Sequence, residues 1–256
     1  MERFGRAIEG GVEEKNVNDF VTEVDRESER MITDALRDAF PEIGLYAEEG
    51  GVDGSMERFW IIDPLDGTTN FIHRYPVFAV SIALWEEGRT TLGAVYDPTR
   101  DELFEAIRHG GASCNGLPLS VSHASRLEQS LLGTGFPFSV PQYIDRYLGA
   151  FRELFLGSRG MRRAGSAALD LCHVAAGRLD GFWELYLKPW DMAAGSLIVE
   201  EAGGVVTDFF GEDGYLSAGH IVASAPALHP LITRVTGAHF SPSDIESIST
   251  PFPPGR

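Results

Sequence analysis

The stretch Trp60–Phe71, WIIDPLDGTTNF, constrains this chain more than any other. Trp60-Ile61-Ile62 is a run of β-formers bounded by Asp63-Pro64, the pattern of a short buried strand. Pro64 cannot donate to a sheet ladder, so the spacing predicts a strand ending at Asp63. Leu65-Asp66-Gly67-Thr68-Thr69 then joins turn chemistry to helix-start chemistry. Gly67 permits positive φ, and Thr68 or Thr69 can cap a helix by accepting a backbone N–H. Two carboxylates at a strand end suit a hard cation held through oxygen. The free N–H groups of a helix start suit an anionic oxygen such as that of a phosphate. Asp-x-x-Asp-Gly is equally ordinary turn composition, so this stretch alone leaves both readings open.

The spacing also weighs against one chemistry. The nucleophilic Asp-x-Asp-Gly-Thr motif of haloacid-dehalogenase-like phosphatases has one residue fewer between its aspartates. In an extended chain that extra residue turns Asp66 away from the face of Asp63, which argues against an aspartyl-phosphate intermediate.

A chain of 256 residues can bury a large core as one large or two smaller domains. Its 43% hydrophobic and 23% charged residues are those of a globular protein that stays in solution. The net charge of −17 argues against a general grip on nucleic acid or an anionic membrane, and it suits a cation site. Cys114 and Cys172 stand far apart in no metal-ligand spacing and read as reduced packing thiols of a cytoplasmic protein. No apolar stretch has the length of a signal sequence or a membrane span.

In chain order, residues 1–14 read as the end of a short helix and Asn16–Thr22 as a loop. Asp25 opens a helix to about Phe40, with Met31, Ile32, Ala35, Leu36 and Ala39 on one face. Ile43–Ala47 reads as a strand delivering Glu48-Glu49, followed by a mobile acidic loop to Arg58. Glu48 at a strand end is a candidate ligand, although a solvated loop start is the commoner role. Val77–Trp85, Thr91–Tyr96 and Glu102–Ile107 read as strands with hairpin-length turns, hence as antiparallel neighbours.

The polar stretch Ser122–Gln129 marks a boundary between halves at 1–128 and 129–240. In the second half, Ser130–Gly135, Ser158–Arg163, Asp180–Tyr186, Val205–Thr207 and Ile221–Ser224 read as strands. Gln142–Phe155, Gly165–Ala176, the small-residue stretch from just after Asp191 to Ala202, and Ala225–Thr236 read as helices. Asp191 stands where an N-cap belongs, and Ala193-Ala194-Gly195 predict a close neighbour packed on that helix start. The Pro- and Ser-rich tail 241–256 reads as disordered.

DPLDGTTNF at Asp63–Phe71, WDMAAG at Trp190–Gly195 and EAGG at Glu201–Gly204 together resemble the inositol monophosphatase family of metal-dependent, lithium-sensitive phosphatases. The resemblance spans about residues 15–236. It implies an α+β fold, a layered αβαβα sandwich with two mostly antiparallel sheets. It implies two or three Mg²⁺ ions, with Mn²⁺ as an alternative, held by Glu48, Asp63, the Leu65 carbonyl, Asp66 and Asp191. The catalytic group it implies is Glu48, Thr68 and Asp63, with Thr68 and Glu48 orienting the attacking water. Substrate would meet Asp66, Gly67, Thr68, Gly165, Ser166, Ala167, Glu184 and Asp191, with Arg162 and Arg163 beside that loop.

The substrate implied first is inositol 1-phosphate. Fructose 1,6-bisphosphate, histidinol phosphate and 3′-phosphoadenosine nucleotides are the alternatives. The resemblance also implies a cytoplasmic homodimer with no nucleic-acid or membrane partner. A regulatory, protein-binding relative with little catalysis is the alternative class, because one bacterial branch of the family engages the transcription machinery.

Overall fold

The computed structural model describes residues 4, 12–16, 19–249 and 252–253. Strands β1 (Val12–Asn16) and β2 (Asp19–Thr22) form a two-stranded antiparallel ribbon. This corrects the helix expected through 12–14 and the loop expected through 19–22. The rest of that helix, apart from Phe4, lies outside the described residues. VEEK has no strong β composition of its own, but pairing with the β-prone DFVT decides its conformation.

Helix α1 (Glu23–Ala39) begins two residues earlier than the sequence predicts, because Thr22 and Asp25 form a capping box. Thr22 Oγ1 accepts the Val24 N–H at 3.1 Å, and Asp25 Oδ2 accepts the Thr22 N–H at 2.9 Å. Ile32 and Leu36 pack on a sheet face made by Ile43, Leu45, Trp60, Ile62 and Leu84. Met31, Ala35 and Ala39 were expected on that face but are exposed. The packed stripe runs instead through the buried Asp25, Glu29 and Thr33.

The larger sheet is built from β3 (Gly44–Ala47), β4 (Gly51–Asp53), β5 (Phe59–Asp66), β6 (Ala79–Glu86), β7 (Arg89–Asp97), β8 (Glu102–Ile107), β9 (Gly111–Cys114) and β10 (Leu117–Pro118). Helix α2 (Thr68–Ile72) lies between β5 and β6. The order is β10-β9-β8-β7-β6-β5-β3-β4, and every pair is antiparallel except β3 with β5. The acidic loop expected after Gly50 is therefore in part an edge strand, β4.

The second sheet alternates with helices: β11 (Leu131–Thr134), α3 (Ile144–Gly157), β12 (Gly160–Arg162), α4 (Ala167–Ala175), β13 (Gly181–Leu185), α5 (Pro189–Glu201), β14 (Val205–Thr207), α6 (Tyr215–Ala218), β15 (His220–Ser224) and α7 (His229–His239). Its order is β12-β11-β13-β15-β14. β11 pairs in parallel with β12 and β13, and the other two pairs are antiparallel, so this sheet is evenly mixed.

The layers are α1, the larger sheet, α4 with α5, the second sheet, and α3 with α7. Helices α4 and α5 supply the middle of the core and are buried almost throughout. The small residues of α5 are explained by distance. A Cβ on Gly93 of β7 would lie 2.8 Å from the Ala194 carbonyl oxygen, and one on Gly195 would lie 2.7 Å from Leu171 Cβ.

The tail differs from its disordered expectation. Residues 242–245 form α8 (Pro242–Ile245), and Ile245 and Ile248 are buried in the cluster around Trp183 and Phe209. Phe252 sits among Tyr46, Phe59 and Trp85, with ring centroids 6.3, 6.0 and 4.7 Å away. Three apolar anchors hold a segment whose composition is otherwise polar and proline-rich.

Candidate metal centre

Strand β5 does not stop at Asp63. It continues to Asp66 through a bulge, with Asp63 opposite Ser81 and Asp66 opposite Ala79. Three residue steps on β5 therefore face two on β6. The inserted residue undoes the alternation of an extended chain and returns Asp66 to the side of Asp63, which corrects the expectation that the spacing turns Asp66 away from it. Asp191 joins them from the first turn of α5, and carboxylate oxygens of Asp63, Asp66 and Asp191 all lie within 4.8 Å of one another.

Each aspartate is tied to backbone. Asp63 Oδ1 accepts the Leu65 N–H at 3.0 Å. Asp66 Oδ2 accepts the Ser166 hydroxyl at 2.6 Å and the Ala168 N–H at 2.8 Å. Asp191 is the third helical residue rather than the N-cap, and its Oδ2 accepts the Lys188 N–H at 2.7 Å. Pro189 fits the first turn because no donor is needed there. Glu48, the fourth expected acid, stands beside the trio just past β3, where its N–H bonds the Ile62 carbonyl at 3.1 Å.

Burial, then the charges of Glu48, Asp66 and Asp191, push the Asp63 carboxyl well above the ordinary aspartate range against the pull of the Leu65 N–H. Burial also raises Asp66, opposed by Ser166 and Ala168. Asp191 is raised by burial and then by Asp66. Three convergent acids that each resist ionisation are a donor set that fits a divalent cation of the Mg²⁺ type, which would relieve both costs.

Gly67 has φ +93° and opens α2. A Cβ there would lie 2.9 Å from the Val77 carbonyl oxygen and 3.1 Å from that of Gly165, so the turn is closed to other residues. Thr68 Oγ1 lies 2.9 Å from Asp25 Oδ1 and 3.1 Å from the Leu65 carbonyl oxygen. Asn70 Nδ2 reaches the carbonyls of Val77 at 2.7 Å and Ala164 at 2.9 Å, which fastens the 164–165 loop to the motif.

The expected substrate loop is thus adjacent to the trio, but Ser166 and Ala168 bond Asp66. Ser166 also caps α4. Glu184, on β13, packs against Gly135, where a Cβ would lie 1.8 Å from Glu184 Oε1. Burial pushes its carboxyl up to about 8, moderated by Arg163 and reinforced by Asp170 and Asp66. Arg163 lies over the rings of Phe136 and Phe138 at 5.7 and 5.6 Å, while exposed Arg162 bonds the Met161 carbonyl. None of the described histidines belongs to the acid trio.

Sequence reasoning passed over Asp25, Asn70 and the buried Asp170. The Thr22-x-x-Asp25 capping box was a visible signal for a helix start. Nothing local pointed from Asp25 to Thr68, which is 43 positions away.

The five layers and the acid trio at a strand bulge define a phosphatase-like α+β protein. The chain belongs to the inositol monophosphatase family, whose sequence profile matches residues 1–240. It is 51% identical over 238 residues to the Nus factor SuhB of Pseudomonas aeruginosa, an alignment covering 91% of this chain and 88% of that one. The extragenic suppressor protein suhB of Bartonella henselae superposes with a TM-score of 0.89 at 42% identity, covering 92% and 91% of the two chains. An IMPase of Thermotoga maritima superposes with a TM-score of 0.86 at 38% identity, covering 97% and 93%. No helix of the described residues is long and apolar enough to cross a membrane.

Proposed function

We propose that the protein is a Mg²⁺-dependent phosphomonoester hydrolase, with inositol 1-phosphate as its first candidate substrate. The reading rests above all on the convergence of Asp63, Asp66 and Asp191 within 4.8 Å. These three, with Glu48 and the Leu65 carbonyl, would hold the metal. Bound Mg²⁺ or Mn²⁺ supplies positive charge for the oxygens of a phosphoryl group in transfer.

The chain's own groups do the rest. The N–H groups of Gly67 and Thr68 bind the phosphate oxygens. Asp25 Oδ1 lies 2.9 Å from Thr68 Oγ1, so it can take the Thr68 hydroxyl proton as a hydrogen bond and leave the oxygen lone pairs for a water. Thr68 and Glu48 orient that water in line with the bond to be broken. Gly165, Ser166 and Ala167 border the organic part of the substrate, and Glu184 accepts hydrogen bonds from its hydroxyls. Arg163, rather than Arg162, is the cation near this end. The protein works as a cytoplasmic homodimer and is inhibited by lithium in this reading.

The second reading is regulatory. It draws support from the 51% identity to a protein named a Nus factor, and it makes the chain a protein-binding partner with little catalysis. The test is phosphate release with Mg²⁺ from inositol 1-phosphate, fructose 1,6-bisphosphate, histidinol phosphate and 3′-phosphoadenosine 5′-phosphate. Turnover of one substrate well above the others is the expected result. Silence across the panel by a protein that binds Mg²⁺ favours the regulatory reading.

A further inference from the structure

Helix α1 carries three polar side chains at positions i, i+3 and i+4 of one face, and each reaches a different segment of the acid centre. Asp25 meets Thr68 at the start of α2. Ser28 Oγ donates to the Pro64 carbonyl at 3.0 Å, inside the β5 bulge. Buried Glu29 accepts the Glu49 N–H through Oε2 at 2.8 Å, in the residue next to Glu48. The three contacts span 43, 36 and 20 positions of chain.

We infer that Ser28 and Glu29 are positioning residues that set the Glu48 turn and the Asp63–Asp66 bulge in register with each other, and so determine how tightly the centre holds a divalent cation. The Pro64–Leu65 peptide plane is fixed at both ends. Its carbonyl takes the Ser28 hydroxyl, and its N–H goes to Asp63 Oδ1. With that plane fixed, neither the Asp63 carboxylate nor the bulge can rotate independently. Glu29 does the same for the other segment. A Cβ on Gly50 would lie 2.9 Å from Glu29 Oε1, so a side chain at residue 50 would press on the carboxylate that holds the turn after Glu48. Neither position needs to touch substrate or metal to act. Groups that orient metal ligands typically change affinity by about 10–100-fold when removed.

This inference rests on the metal-dependent reading, so the experiment reads metal binding directly as well as turnover. Mg²⁺ is titrated calorimetrically into the wild type, Ser28→Ala, Glu29→Ala, Glu29→Gln, Gly50→Ala and the Glu29→Ala/Gly50→Ala double variant, and the Mg²⁺ dependence of phosphate release is measured alongside. Glu29→Ala should weaken Mg²⁺ binding about tenfold and raise the half-activating Mg²⁺ concentration equally, with kcat at saturating Mg²⁺ nearly kept. Glu29→Gln, which retains an acceptor oxygen, should stay within about threefold of wild type. Gly50→Ala should weaken binding when Glu29 is present and add little in the double variant.

Unchanged Mg²⁺ affinity in Glu29→Ala, with only a lower Tm, reduces Glu29 to packing and overturns the inference. Equal effects of Gly50→Ala in both backgrounds do the same. If Glu29→Ala does not fold, Ser28→Ala decides, since unaltered Mg²⁺ binding there contradicts a positioning role for the hydrogen bond to the Pro64 carbonyl. A wild type that binds no Mg²⁺ removes the metal-dependent reading itself, a different failure from the first two.

Discussion

Two neighbouring regions of this molecule bury acids, and they handle the charge differently. At the strand bulge, Asp63, Asp66 and Asp191 converge from two elements, and each is raised above the aspartate range with the other carboxylates among the causes or close by. Across α4, Glu184 and Asp170 are raised chiefly by burial, the Asp66 carboxylate adds to both, and the nearby cation Arg163 pulls both back down. In the first group the cations Arg163 and Lys188 are the last of the influences on Asp66 and Asp191, behind burial, and the arrangement suits a cation arriving from outside. For Glu184, by contrast, the exposed Arg163, held over two phenylalanine rings, is the largest influence after burial. Burial alone therefore does not mark a metal site. What separates the two is how many carboxylates converge on one point and how large a part a cation of the chain plays there.

The largest effect should come from breaking the first region. Asp66→Asn removes one converging charge but keeps the shape. The expected loss of phosphate release is several kcal/mol of transition-state stabilisation, roughly a thousandfold, with the far-ultraviolet spectrum unchanged. An active Asp66→Asn enzyme would sink the metal-dependent reading.

Next in size is the pH dependence of the metal-free protein. Acids with raised folded pKa values give stability that is complete below their unfolded values near 3.8 and is lost as pH rises through the folded values, about 8 for Asp191. Mg²⁺ replaces those protons, so its gain in Tm should be larger at pH 8 than at pH 5. His220 and His229 act in the opposite sense. Burial lowers both to about 4, so their contribution is complete above the unfolded value of 6.5 and is lost as pH falls toward 4. A Tm gain from Mg²⁺ that is flat between pH 5 and pH 8 would contradict the assignment of the raised carboxyls to the metal centre.

The smallest effect belongs to the second region. Asp170 is buried with Oδ1 lacking a hydrogen-bond partner, and Asn is isosteric with its protonated form. Asp170→Asn should leave Mg²⁺ affinity unchanged and raise Tm at pH 8 by about 2 °C, the shift of roughly 1 kcal/mol in a chain of this length. Weakened Mg²⁺ binding in this variant would erase the distinction between the two regions.

How far the site could be read in advance follows the same division. DPLDG announced a strand, a turn and two carboxylates because those features lie within a few residues of one another. The bulge that turns Asp66 toward Asp63 was not legible. Pro64 was read as the end of the strand, which instead runs on to Asp66, because whether a strand ends or bulges there depends on β6 across the gap. Asp191 drew attention as an N-cap and proved to be the third helical residue, bonded back to Lys188, a three-position difference set by the preceding Pro189. Small residues in WDMAAG correctly foretold a close neighbour without naming Gly93 or Leu171.

The sequence by itself determined the local chemistry of this protein: a left-handed glycine after two aspartates, a capping box before α1, and small residues where helices meet other elements. These are properties of short segments, where sterics and neighbouring hydrogen bonds act within one turn of chain. Only the tertiary structure decided which side chains share a point in space. It set Asp25, Ser28 and Glu29 against segments 20 to 43 positions away, and it anchored a polar tail through Ile245, Ile248 and Phe252. The physical reason is that burial and convergent charge are properties of packed layers, and no segment carries them until the others are in place.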